Sequence, residues 1–313
     1  MPTSCVVILG MHRSGTSALA RTLALCGGSL PKTLFPPVPG DNDTGYWESE
    51  RLILFNEYLL AELGTSAFDE RVPDPTWFGT PAAEQRAIEL ACLLLEEWGD
   101  APGWIVKEPR TCRLVPLLRR ALAIAGRAPV FVICVRDPSE VASSLAHRSG
   151  LARASAEALW VQHVALAERE TRDVPRTFVS IDQLLSDWRG AVQSVARIEP
   201  SIEIHRAPAA IDAFIDPARR HHRATSVALA QETTRMLRDA VAAAIAGDAS
   251  ELAPLVDEIV RERCGYPAQW ASPDPTDGPA ASRELAKLLR VNAAQRQAIL
   301  EPTAEVRHRN ASR

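Results

Sequence analysis

The sequence predicts a three-layer α/β fold with a mostly parallel central sheet and a helical C-terminal third. Three observations carry that prediction. Short, continuous, β-branched apolar runs end abruptly in glycine, charge or proline; segments of helical spacing separate them; and after about residue 200 helical spacing alone continues. Apolar runs without alternation suit strands buried on both faces, and strands alternating with helices imply a parallel sheet covered on both sides.

Taken in order, "CVVIL" at 5–9 predicts the first strand, bounded by Gly10. From Ser17 the spacing is helical, with Leu19, Leu23 and Cys26 on one face before Gly27-Gly28 ends it. Residues 28–46 hold four prolines and the run "GDNDTG", so they predict irregular chain. Helices are predicted over 47–63 and 82–98, a strand through Val106, a helix over 114–124 and a strand over 130–135. Helices over 139–147 and 154–171 follow, then a strand over 176–181 and a helix capped by Asp182. A basic patch occupies 218–224, a proline-rich linker 272–279 and a helical pattern 282–300, and no internal repeat is present. The predicted organisation is one domain over 1–268 and a linker with a helical tail over 269–313.

At 313 residues, 46% hydrophobic and 24% charged, the chain has the composition of an ordinary globular protein. Its net charge of −4 excludes a global basic field for nucleic acid or an anionic membrane, so an anion site must be a local cluster, which favours a small anionic ligand. The first residues lack a basic region and lead into an apolar run too short for a signal peptide, and no segment approaches the length of a membrane span. The expectation is a cytoplasmic protein with neither a nucleic-acid partner nor a membrane span; the sequence leaves oligomeric state open. The six cysteines form no C-x-x-C pair and read as buried free thiols.

Function is concentrated where the predicted strands end. "ILGMHRSGTS" at 8–17 places two glycines, Gly10 and Gly15, at phosphate-loop separation between a buried strand and a helix. Loop amides and a helix start, with a partial charge of roughly +0.5, favour phosphate or sulfate there, which makes the fold P-loop-type. Thr16 stands where a nucleotide triphosphatase carries its lysine, and Arg13 appears three residues earlier. A ligand-free glycine turn and a kinase or NTPase-like enzyme are the alternatives at this motif. "VRDPSEVASS" follows a second buried strand and "WIVKEPR" a third; their plainer readings are a capped strand-to-helix turn and a Lys107–Glu108 surface pair. Three residues of the chain are lysine, so Lys107 at a strand end departs from this protein's preference for arginine.

The run "HRSGTS" resembles the Pro-Lys-Ser-Gly-Thr-Thr loop of sulfotransferases that use 3'-phosphoadenosine-5'-phosphosulfate (PAPS), with Arg13 at the family's lysine. The resemblance covers roughly 5–200 and implies that His12, Arg13, Ser14, Gly15, Thr16 and Ser17 hold the phosphosulfate. Arg136 and Ser144, eight residues apart, match the family's 3'-phosphate pair, and an arginine fork suits a phosphate dianion. "VKEPR" resembles the Lys-Asp/Glu-Pro-Arg of a bacterial, glycan-type branch, making Lys107 or Arg110 a stabiliser of sulfuryl oxygens. Pro109 stands where another branch has its catalytic histidine. "DNDTGYWESE" resembles the segment that supplies a glutamate, so Glu48 is the implied catalytic base, with Glu108 second and a helix-terminal charge as the plainer reading of Glu48.

The implied activity is transfer of a sulfuryl group from PAPS to a hydroxyl of a carbohydrate or glycosylated small molecule, leaving adenosine 3',5'-bisphosphate and requiring no metal. Arg219, Arg220 and Arg223 would close over the nucleotide, or form a solvated face. A non-catalytic nucleotide-binding protein of the same fold is a further alternative.

Overall fold

A computed structural model describes residues 3–215 and 229–265 of the chain. Four strands, β1 (Thr3–Leu9), β2 (Trp104–Lys107), β3 (Arg127–Val135) and β4 (Arg176–Ser180), form one all-parallel sheet in the order β2-β1-β3-β4. β1 lies inside the sheet, and its alternate residues feed two separate cores. Cys5, Val7 and Leu9 point into one, Val6 and Ile8 into the other, all at 1% exposure or less. Burial on both faces is why the run carries no polar alternation.

The first core is closed by α2 (Glu50–Glu62), α3 (Pro81–Trp98), α4 (Val115–Ile124), α5 (Pro138–Ser149), α6 (Arg153–Arg169), α10 (Glu232–Ile245) and α11 (Leu252–Arg263). The second is closed by α1 (Thr16–Leu25), α7 (Ile181–Ser186), α8 (Trp188–Ala196) and α9 (Pro208–Phe214). The result is the predicted three-layer α/β architecture, and beyond residue 200 the described residues contain helices and no strand. All six cysteines are free, five buried and Cys92 partly so. The basic patch at 218–224, the linker at 272–279 and the helical pattern at 282–300 lie outside the described residues, as does the boundary at 268/269.

Three local expectations need correction. The helix predicted from residue 47 begins at Glu50, because Trp47 holds a positive φ of 59° and the Ser49 side chain accepts from the Leu52 amide at 3.2 Å as N-cap. The helix after β4 is capped by Ser180, whose hydroxyl accepts from the Gln183 amide at 3.0 Å, and Asp182 falls in its first turn. β3 starts three residues earlier than predicted, at Arg127-Ala128-Pro129, which pair with Thr3-Ser4-Cys5. Those three positions are only half-buried, so an apolar count misses them. Pro129 is tolerated because β4 joins the ladder only at Phe131.

Candidate functional site

β1 and β3 are neighbours, so the segments that leave their carboxyl ends emerge side by side, where ligands bind in folds of this kind. The glycine loop follows β1. Gly15 sits at φ 89°, and a Cβ there would stand 2.4 Å from Ile181 Cδ1; at Gly10 it would stand 2.5 Å from the Cys134 carbonyl oxygen. Both positions therefore need glycine, one for backbone conformation and clearance, the other above all for close approach to β3. The Gly10 amide donates to Cys112 Sγ at 3.1 Å, the Ser14 amide to the Met11 carbonyl at 3.1 Å, and Cys134 Sγ donates to the Ser14 carbonyl at 3.3 Å. Gly15 is the N-cap of α1 and no side chain caps that terminus, which leaves first-turn amides available to an anion. Ser14 Oγ and His12 Nε2 are buried without a protein partner, an uncommon state for buried polar atoms.

Arg13 lies within the loop at φ 71°, a left-handed conformation unusual for a side-chain-bearing residue. Its Nε donates to Ser144 Oγ at 2.9 Å, and its Nη1 is 2.8 Å from Asp41 Oδ1. Burial lowers its pKa, with the neighbouring Arg148 and Arg136 charges adding to the shift and Asp41 opposing it. Arg136, from the end of β3, donates through Nη1 to the Arg13 carbonyl at 3.1 Å and through Nε to Glu140 at 2.8 Å. Asp137 caps α5 by accepting from the Ser139 amide at 2.8 Å, so the plainer reading of "VRDPS" also describes part of this turn. Ser144, further along α5, meets Arg13.

Lys107 is not half of a surface pair with Glu108. It is 3% exposed, forms an ion pair with Glu48, and donates to Ser17 Oγ at 3.1 Å and the Tyr46 carbonyl at 3.2 Å. Glu48 is 5% exposed and precedes the N-cap of α2, so the first-turn acid of that helix is Glu50. Glu108 turns elsewhere, accepting from Asn56 Nδ2 at 2.6 Å and from Arg110, which also pairs with Glu57 at 2.6 Å. Burial raises the Glu108 pKa, and the Arg110 charge opposes that shift.

These elements enclose a cavity of about 430 Å³, within the range of small-molecule sites. Arg13, Lys107, Arg136 and Arg148 contribute positive charge to it, Glu48, Asp41 and Asp43 negative charge, and Ile181, Leu185, Phe214 and Ile215 an apolar wall. Thr16 and Ser17 also line it; Ser14 and Ser144 are buried and do not, Ser144 contacting Arg13 instead. Asp41, Tyr46 and Arg148 were missed in the sequence. Arg148 had a signal: it follows Ser144 by four residues on one helix and so shares its face. Arg219, Arg220 and Arg223 lie outside the described residues.

Behind the loop, the His12 ring stands 5.0 Å from that of Phe68 and 6.4 Å from that of His163. His163 is fully buried, with Nδ1 on the Leu159 carbonyl at 2.7 Å. Burial lowers the His163 pKa to about 3 and the His12 pKa well below its ordinary value, in each case reinforced by nearby positive groups. Below pH 6.5 the unfolded chain takes up a proton that the fold refuses at His163, so stability falls as pH drops from 6.5 towards about 3. Each such histidine contributes a slope of at most about 1.4 kcal/mol per pH unit. Thermal unfolding across that window should show His163→Leu with a flatter acid limb than the wild type; superimposed profiles would contradict a neutral His163.

Among the described residues no cluster of three or more His, Cys, Asp and Glu side chains is placed to hold a metal ion, and no helix is long and apolar enough to cross a membrane. No family model matches the chain, and no curated protein matches it. Among solved structures it is similar to the sulfotransferase domain from the Synechococcus PCC 7002 olefin synthase, at 20% identity over 77% of this chain and 95% of that one, with a TM-score of 0.45. It is also similar to the sulfotransferase domain from the curacin biosynthetic pathway, at 17% identity over 93% and 99% of the two chains, with a TM-score of 0.37. Likeness at these levels carries no weight for activity, and the case for one rests on the residues around the cavity.

Proposed function

We propose that the protein is a sulfotransferase that moves a sulfuryl group from PAPS to a hydroxyl, on a carbohydrate or glycosylated small molecule. The observation that supports this reading is the 3.1 Å contact between Arg136 Nη1 and the Arg13 carbonyl, which joins the segments that follow two adjacent strands beside a cavity that Arg13 and Arg136 both line. A ligand with phosphates at both ends of a nucleoside needs two such elements. Uncapped α1 amides and the apolar wall support it, being what an oxyanion and a purine require.

When bound, PAPS supplies an activated sulfuryl group. Arg13, Thr16, Ser17 and the loop amides hold the phosphosulfate end, with His12, Ser14 and Gly15 shaping the turn. Arg136 and Ser144 serve the 3'-phosphate. Glu48 takes the acceptor proton, and Lys107 fixes Glu48 in place while reaching Ser17. The protein's contribution is positioning and preorganised charge. Glu48 is a better base than Glu108 because it lines the cavity, whereas Glu108 is engaged by Asn56 and Arg110.

Calorimetric titration without magnesium tests the reading. Adenosine 3',5'-bisphosphate should bind more tightly than 5'-AMP, and Arg136→Ala should weaken it by about 2–3 kcal/mol, or roughly 30- to 150-fold. Equal affinity for the two nucleotides would remove the 3'-phosphate site. Magnesium-dependent binding of ATP in their place would establish the kinase-like alternative.

A further inference from the structure

His12 lines the cavity, and its Nε2 is buried without a partner among the described residues. The ring as a whole is half-buried, so the nitrogen left open to the cavity is Nδ1. Its ring neighbours are Phe68, which has no polar side-chain atom, and His163, whose ring stands edge-on with its centre 6.4 Å away. His163 Nε2 is likewise buried and without a partner among the described residues. Two shielded imidazole nitrogens on adjacent rings are thus left to each other, and the separation of the rings suits a link through one water.

The far side of His163 decides which ring supplies the proton. Its Nδ1 lies 2.7 Å from the Leu159 carbonyl oxygen, which can only accept, so Nδ1 carries the proton and Nε2 a lone pair. Burial keeps His163 neutral, with Arg113 adding to the effect, and leaves it no second proton to give. A link between the two Nε2 atoms therefore takes its proton from His12, which leaves a lone pair on His12 Nδ1. Lys107 and Arg148, cavity cations that act on this ring, favour the same arrangement, since a lone pair faces positive charge better than an N–H does.

We propose that His163 is a positioning residue that sets the tautomer of His12, so that His12 faces the cavity with a hydrogen-bond acceptor fit for a hydroxyl and not for an oxyanion. A sulfuryl or phosphoryl oxygen brings only lone pairs to such a nitrogen, whereas a hydroxyl brings the missing proton. The identity of that hydroxyl rests on the proposed function: it belongs to the sulfuryl acceptor. His12 is then an acceptor-specificity residue placed outside the phosphosulfate grip, and proton removal stays with Glu48.

Nitrogen NMR of the imidazole side chains in the full, isotope-labelled chain at neutral pH reads both tautomers. His163 should be protonated on Nδ1 alone and His12 on Nε2 alone, and saturating adenosine 3',5'-bisphosphate should leave His12 neutral in that form. Methyl β-D-glucopyranoside, added to the bisphosphate complex, should shift the His12 Nδ1 signal upfield as a hydroxyl donates to it. His163→Phe should release His12 into a mixture of tautomers, and His163→Gln, whose amide oxygen can accept, should restore the single form. A wild-type His12 protonated on Nδ1 or present as a mixture overturns the proposal, and those spectra suffice if the variants do not fold. Conversion to an imidazolium by the bisphosphate also overturns it, because the ring would then be holding an oxyanion, and a signal that ignores the glucoside overturns the hydroxyl role. If the tautomers are as stated but the bisphosphate does not bind, the nucleotide reading fails and the His163–His12 assignment stands; if it binds to a chain whose His12 is a mixture, the assignment fails alone.

Discussion

Glu48→Gln is expected to lower sulfuryl transfer by on the order of 10²- to 10⁴-fold, the range a positioned general base supplies, with adenosine 3',5'-bisphosphate affinity nearly unchanged. The confounding effect is structural. Glu48 and Lys107 are a buried ion pair, and removing one partner of such a pair leaves the other uncompensated, at about 3–5 kcal/mol. Lys107 keeps the Ser17 hydroxyl and the Tyr46 carbonyl, which places the loss towards the lower end. The double variant Glu48→Gln/Lys107→Met separates the two effects: it should recover melting temperature relative to the single variant while its turnover stays low. A Glu48→Gln rate close to wild type would pass the proton to Glu108 or to water.

Arg13 yields the second large effect. Arg13→Ala should cost on the order of 10²- to 10³-fold in rate, as the loss of one preorganised charge contact does. Its backbone offers a control that few sites provide. Arg13 holds φ 71°, where a residue with a Cβ carries about 1–2 kcal/mol of strain that glycine does not. Arg13→Gly should therefore melt no lower than Arg13→Ala, and both should be equally slow. Rates near wild type in either variant would take the guanidinium out of the mechanism; a large fall in melting temperature for glycine alone would mean that the side chain shapes the loop.

The sheet was legible because β1 and β3 are buried on both faces, which writes burial directly into the sequence as Cys5–Leu9 and Val130–Val135. Element ends were less so. Ser49 and Ser180 act as caps through single hydroxyls, and a neighbouring acid, Glu48 or Asp182, fits the same pattern equally well. In the site, residues at strand ends could be read because strand order and ligand edge follow from topology. Asp41 and Tyr46 could not. They sit in irregular chain whose path is set by long-range contacts such as Phe35 amide to Glu48 carbonyl, and no local period encodes those. The orientation of Glu108 was hidden for a related reason: its direction depends on Asn56 from a distant helix.

Since β1 and β3 are hydrogen-bonded neighbours, the backbones that lead into the glycine loop and into Arg136 leave the sheet about 4.8 Å apart, a separation set by the strand repeat and not by any connecting loop. The sheet thus fixes where both segments begin, whatever the length of the chain between Gly28 and Gly40. On the proposed reading, a chimera that exchanges only residues 29–40, and so keeps Asp41, Asn42 and Tyr46 at Arg13, Ser17 and Lys107, should hold its donor affinity and change its acceptor preference.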